Sequence, residues 1–116
     1  MTREFIILPT FEKNWKDMGL SDDDLRSLQH ELTLNPKKGP VIRGTNGLRK
    51  VRISFDNEGK SSGGRVCYVD FPDYEKIYLI VAYPKNKNDN LNQKEKNNIA
   101  DVINYLKAAL EGNEGK

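Results

Sequence analysis

The chain predicts an α+β domain in which helices pack on a small, mainly antiparallel sheet. Three features carry that expectation. Strand-like segments at about 47–55, 64–71 and 76–83 follow one another through the middle of the chain, separated only by turn-rich stretches. A short apolar run, Phe5-Ile6-Ile7-Leu8, stands ahead of two helical patterns. A longer helical pattern closes the chain. The predicted order is therefore β-α-α-β-β-β-α.

Each element has its own warrant. Pro9 ends the first apolar run, which reads as a buried strand. Thr10 is placed to cap a short helix over 11–17, with Phe11 and Trp15 four apart on one face. Ser21 caps a second helix whose first turn holds Asp22, Asp23 and Asp24, where the macrodipole favours acids. Leu20 and Leu25 suit a hydrophobic staple around that cap. Leu25, Leu28 and Leu32 keep one face apolar until Asn35-Pro36 stops the helix. Pro36, Gly39, Pro40, Gly44 and Gly47 make 35–47 a turn-rich connection. Ile77 to Ala82 is apolar on both faces, which marks a central strand covered on both sides. Asn92-Gln93-Lys94-Glu95 has a capping-box pattern, opening a helix with Ile99, Val102, Ile103, Leu106 and Leu110 inward.

The expected core is Trp15, Leu28, Val51, Ile53, Leu79, Val81, Ile103 and Leu106. Length and the absence of repeats point to one domain over 1–112, followed by a frayed polar tail at 113–116.

Composition narrows the function classes. No apolar run approaches the ~20 residues of a spanning helix, and the start lacks the apolar core of a secretory signal. A single cysteine, Cys67, excludes an internal disulfide, so a cytoplasmic location without membrane contact is expected. With His30 the only histidine, centres built on several His or Cys ligands and two-histidine nuclease chemistry are excluded. No metal or cofactor is expected, and any catalysis must run on Lys, Arg, Tyr or carboxylates. A lone helical histidine reads as an ordinary surface residue.

Charge segregation is more informative than the overall +2. Residues 35–66 hold eight Lys and Arg against two acids, while the segments on either side are net acidic. Strand alternation places Lys50 and Arg52 on one face with Leu48, and Arg49, Val51, Ile53 and Phe55 on the other. The Val51/Ile53/Phe55 face is expected to meet the helices and the Lys50/Arg52 face to stay open. Arg65 begins the next strand, and Lys85 and Lys87 follow Tyr83 at the end of the last.

Three strands thus deliver cations and a phenol toward one surface, a pattern suited to gripping a polyanion. The bland reading is that these are solvated strand residues. Cleavage of RNA by its own 2′-hydroxyl needs a base, stabilisation of extra negative charge, and protonation of the leaving 5′-oxygen. Arg offers a planar fork for phosphate oxygens, and Tyr can stack on an unpaired base. Basic sheets also bind nucleic acid without cutting it.

The segments Asn35-Pro36-Lys37-Lys38-Gly39, Gly44 to Arg52, Gly63 to Tyr68 and Tyr83-Pro84-Lys85-Asn86 together resemble the RelE/HigB toxins of bacterial type II toxin–antitoxin systems. The resemblance extends from about Phe5 to Leu110. It implies a RelE-like small ribonuclease fold that cuts messenger RNA in the ribosomal A site, without a metal, and so inhibits translation. It also implies a cognate antitoxin, a helix-turn-helix DNA-binding protein through which operator DNA is contacted indirectly.

By the same resemblance, Lys50 and Arg52 match the alternating basic pair at the scissile region, Arg65 the phosphate-stabilising arginine, and Lys85 the basic residue after the last strand. Arg49, Tyr68, Tyr83, Lys87, Lys37 and Lys38 are the accompanying RNA-binding candidates. Two departures stand out: Asn86 occupies the place of an arginine proposed as acid, and no tyrosine follows early in the final helix. Pro84 also replaces a more usual glycine. Lys85, Lys87 and Tyr83 are then the candidate acids. Competing readings are a ParE-like gyrase poison, a non-catalytic nucleic-acid-binding module, and a protein whose basic surface serves only its antitoxin.

Overall fold

Every predicted element forms, in the predicted order: β1 (Glu4–Ile7), α1 (Pro9–Asp17), α2 (Asp22–Leu34), β2 (Arg49–Ile53), β3 (Gly64–Phe71), β4 (Lys76–Pro84) and α3 (Gln93–Glu114). The structure, a computed structural model, describes residues 2–54, 63–85 and 91–114. Phe55, the tip of the first hairpin, Asn86 and Lys87 lie outside the described residues. The sheet runs β1-β4-β3-β2, with β1 parallel to β4 and the other pairs antiparallel. No helix among the described residues is long and apolar enough to cross a membrane.

Local chemistry explains the helix starts. Ser21 Oγ accepts from Asp24 N at 3.1 Å while Asp24 Oδ2 accepts from Ser21 N at 2.9 Å, a complete capping box. Asn92 and Glu95 repeat the exchange at α3, at 2.8 and 2.9 Å. α1 departs from the expectation: its cap is Leu8, which contributes no side-chain bond, and Thr10 already lies inside the helix. Pro9 instead fills the first turn, where its fixed φ suits a helix and its missing N–H is not needed. At the other end, α3 runs through Gly112 to Glu114.

The helices divide between the two faces of the sheet, which corrects the expectation that they pack mainly against one. Phe11 and Trp15 of α1 and Leu28 and Leu32 of α2 join Val51, Val66, Tyr68, Ile77, Leu79 and Ala82 in one core. Ile99, Ile103 and Leu110 of α3 join Leu48, Cys67, Val69, Tyr78 and Ile80 in a second core on the opposite face. Trp15, Leu28, Val51, Leu79 and Ile103 are buried as expected. Ile53, Val81 and Leu106 are only partly buried. Val102, expected inward, is exposed because α3 seats on the sheet through the Ile99/Ile103 stripe beside it.

A bulge in β4 decides which side chains share a face. Cys67 pairs with Val81 but Tyr68 pairs with Leu79, so Ile80 has no partner on β3. Strict alternation would set Val81 and Tyr83 with Leu79. Instead, Ala82 joins the α1/α2 core with Leu79, and Val81 and Tyr83 pack with the α3 core. β1 reaches only to Ile7 opposite Leu79, leaving the next part of β4's outer edge without a strand. There Asn14 of α1 takes over, its Oδ1 accepting the Ala82 N–H at 3.0 Å.

Candidate functional site

The β2–β3–β4 register assembles the predicted residues into a row. Arg52 pairs with Arg65, and Arg65 with Tyr83; two pairs further along, Lys50 stands opposite Cys67, which stands opposite Val81. By strand alternation these share the face that α3 covers elsewhere, where Leu48 and Cys67 are buried, while Arg52, on the outer strand, also borders a cleft lined by Asp24, Leu28, Glu31 and Lys38 on the α2 side. The Lys50/Arg52 face is therefore not open along its length. α3 occupies part of it, and the cations border that covered part. Arg52 is exposed, Lys50 half-buried, and Arg65 only 6% exposed. One Arg65 Nη donates to the Gly64 carbonyl at 3.2 Å.

Gly63 lets the backbones close around this row. A Cβ on Gly63 would stand 2.4 Å from the Ile53 carbonyl oxygen, and the Gly63 carbonyl accepts the Lys85 N–H at 2.9 Å. The turn into β3 is thus held against both β2 and the end of β4. This places Lys85, which is exposed, next to the start of the strand that carries Arg65. Lys87 lies outside the described residues.

Two RNA-binding candidates have a different place in the structure. Tyr68 is wholly buried in the α1/α2 core, on the face away from Arg65. Its hydroxyl accepts from Gly39 N at 3.1 Å and donates to the Pro36 carbonyl at 2.8 Å. Burial pushes this phenol above its ordinary pKa, with the Gly39 hydrogen bond and the charge of Arg49 pulling the other way. Arg49, paired with Tyr68, donates to the carbonyls of Gly39 at 2.8 Å and Lys37 at 3.4 Å. Tyr68 is thus closed off from a ligand while Arg49 is half-buried, and both fasten the 36–40 loop to the sheet.

That loop continues as a strap along β2. Lys50 N donates to Pro40 O at 3.1 Å, Ile42 N to Leu48 O at 2.7 Å, and Val41 bridges Arg49. Gly39 is required because a Cβ there would stand 2.6 Å from the Lys50 carbonyl oxygen. The strap holds Lys37 and Lys38 at the surface, with Lys38 ion-paired to Glu31 of α2. Past the strap, Thr45 is buried in the turn, its hydroxyl donating to Ile42 O and accepting from Leu48 N.

The sequence pattern found the cations but missed Asn14, the Tyr68–Arg49 fastening and the bulge. For Tyr68, the signal available was its position opposite Arg49, beside an Asn-Pro-x-x-Gly loop that needs a partner for its backbone.

No family model matches the chain. In fold it is similar to a free-state double mutant of the E. coli toxin RelE, with a TM-score of 0.54 and 18% sequence identity over 72% of this chain and 83% of that one. The chain has a RelE-like α+β fold.

Proposed function

We propose that this chain is the toxin of a type II toxin–antitoxin pair, a ribosome-dependent, metal-independent endoribonuclease that cuts messenger RNA in the A site and arrests translation. A small antitoxin, of the DNA-binding kind the resemblance implies, silences it. The observation that carries this reading is the row Arg52–Arg65–Tyr83 with Lys50 beside it, set on one face of a RelE-like sheet.

The chemistry follows from the row. A scissile phosphate bridged by Arg52 and Arg65 would have its non-bridging oxygens held by two guanidinium forks, which stabilise the charge added as the 2′-oxygen attacks phosphorus. Lys50, on the same strand face as Arg52, would take the 2′-hydroxyl proton as the neutral amine, since an ammonium has no lone pair to accept it. The bond from phosphorus to the 5′-oxygen breaks, and Lys85 or Tyr83 supplies the proton that oxygen needs. Lys37, Lys38 and Lys87 add sequence-independent attraction to the RNA backbone.

Purified protein added to a translating extract, with primer-extension mapping of the message, tests the reading. Discrete cuts that require ribosomes are expected, and they should vanish when Lys50 and Arg52 are both replaced by Ala. Inhibition of gyrase supercoiling without such cuts would replace this reading with the gyrase poison.

A further inference from the structure

The strap along β2 lies closest to the strand at the candidate base. Lys50 and Cys67 face each other as a non-hydrogen-bonded pair, so the Lys50 N–H and C=O both point away from β3, toward the strap. The N–H donates to Pro40 O at 3.1 Å. The carbonyl lies so near Gly39 that a Cβ there would stand 2.6 Å from its oxygen and 3.2 Å from Val51 N. The peptide groups on both sides of the Lys50 Cα therefore rest on residues 39 and 40.

The hold on Gly39 comes from the sheet. Its N–H donates to the Tyr68 hydroxyl at 3.1 Å, and its carbonyl accepts from Arg49 Nη at 2.8 Å, so both of its backbone polar groups are engaged. The same hydroxyl donates to Pro36 O at 2.8 Å. One phenol thus ties both ends of the 36–39 turn to β3. Tyr68 itself is wholly buried in the α1/α2 core, on the face of the sheet opposite the Lys50 side chain, and cannot touch a substrate.

We infer that Tyr68 is a positioning residue for the cleavage reaction: through Gly39 and Pro40 it fixes the backbone from which the Lys50 amine reaches the 2′-hydroxyl. The inference rests on the ribonuclease reading and on the part given there to Lys50. β2 is an outer strand, and without the strap Lys50 would be held from the β3 side alone. A flexible four-carbon stem is aimed no better than the Cα that carries it. Misplacing a catalytic group by about 1 Å can cost a hundredfold in rate.

Tyr68→Phe keeps the ring in the core and removes only the fastening. The control is Ile77→Ala, a cavity in the same core near the start of β4, away from the strap and the row. At saturating programmed ribosomes, with every variant folded, Tyr68→Phe should lower the single-turnover rate by roughly ten- to a hundredfold. Ribosome affinity should fall far less, and Ile77→Ala should leave the rate unchanged. Gly39→Ala, which forces the strap and the Lys50 carbonyl apart while leaving the phenol in place, should reproduce the loss. In a Lys50→Ala background neither change should matter further, because the amine they misplace is gone.

Hydrogen exchange in the free protein reads the same coupling without cleavage. Tyr68→Phe should speed exchange of the Lys50 amide about tenfold more than that of amides in β4. An unchanged rate, an equal loss in Ile77→Ala, or a full loss that persists without Lys50 would overturn the inference. So would exchange that quickens uniformly. Wild-type protein that cuts nothing would remove the ribonuclease reading instead, and the exchange would still decide whether Tyr68 fixes Lys50.

Discussion

Arg52 and Arg65 oppose each other across β2 and β3 as a non-hydrogen-bonded pair, since the Lys50 N–H points outward to Pro40 and Arg52 follows it by two. In such pairs the Cα atoms approach to about 4.5 Å, closer than in the alternate pairs. Like charges placed this way cost stability, and a bound phosphate would relieve the cost.

Arg52→Gln should therefore stabilise the free protein by about 0.2–1 kcal/mol at low salt, while lowering RNA cleavage. Urea melts at two salt concentrations check this: the gain should shrink as salt screens the wild-type pair. Equal destabilisation at both would mean that Arg52 serves the fold and not a ligand.

Arg65→Ala should lower single-turnover cleavage at saturating programmed ribosomes by roughly a hundredfold or more, the scale of losing one preorganised donor. Ribosome affinity should fall far less, because other cations share the diffuse attraction. Arg65→Lys should recover only part of the rate, since it keeps the charge but loses the fork. Full recovery at saturation would remove Arg65 from the chemistry.

Tyr68→Phe should cost about 1–3 kcal/mol, because the Gly39 N–H and Pro36 carbonyl lose a buried partner. The same phenol makes stability depend on alkaline pH. Its folded pKa is raised, so the native state holds the proton after the unfolded chain has released it near pH ~10. This contribution is fully present below about pH 10 and is lost as pH rises through the folded value. The difference between wild type and Tyr68→Phe in urea melts should narrow over that range; a constant difference would contradict the proposed burial.

Two substitutions in α3 should differ in cost. Ile103 is 1% exposed, so Ile103→Ala should destabilise by about 2–5 kcal/mol. Leu106 is only partly buried and should cost less. Equal small losses, under about 0.5 kcal/mol for both, would mean that α3 does not dock through this stripe.

Asp70→Ala should be among the most damaging changes away from the cations. Arg3 Nε bonds Asp70 at 2.8 Å with both side chains nearly inaccessible, joining the start of β1 to β3. Removing the carboxylate strands a buried guanidinium, at a cost of about 3–5 kcal/mol by denaturant melts. Replacing both partners by apolar residues should recover much of the loss.

Element order was legible in the sequence because caps, prolines and apolar periods agree along most of the chain. Ser21 with Asp24, and Asn92 with Glu95, mark their helices through local bonds that need no tertiary information. The distribution of helices between faces was not legible. Val51 and Leu48 both look like core residues, and no local feature says that α3 goes to the side of Leu48. The bulge was hidden because Leu79, Ile80, Val81 and Ala82 are all apolar, so a slip in alternation leaves no trace. Tyr68 was misplaced for a related reason: a tyrosine beside a basic cluster looks like a stacking platform until its hydroxyl is found stitching a loop.

The strap along β2 bears on how copies of this protein behave toward one another. β2 is an outer strand, and a bare outer strand can recruit a second chain into its ladder. From Leu48 to Lys50 the edge is already taken by Pro40, Val41 and Ile42, and Pro40 has no N–H with which to extend pairing outward. Past that point the strand carries Arg52, and repulsion between like edges replaces the covering segment. Protection against self-association thus comes from the chain's own hydrogen-bonded strap at one end and from charge at the other, and only the second would be lifted by a polyanion neutralising the edge.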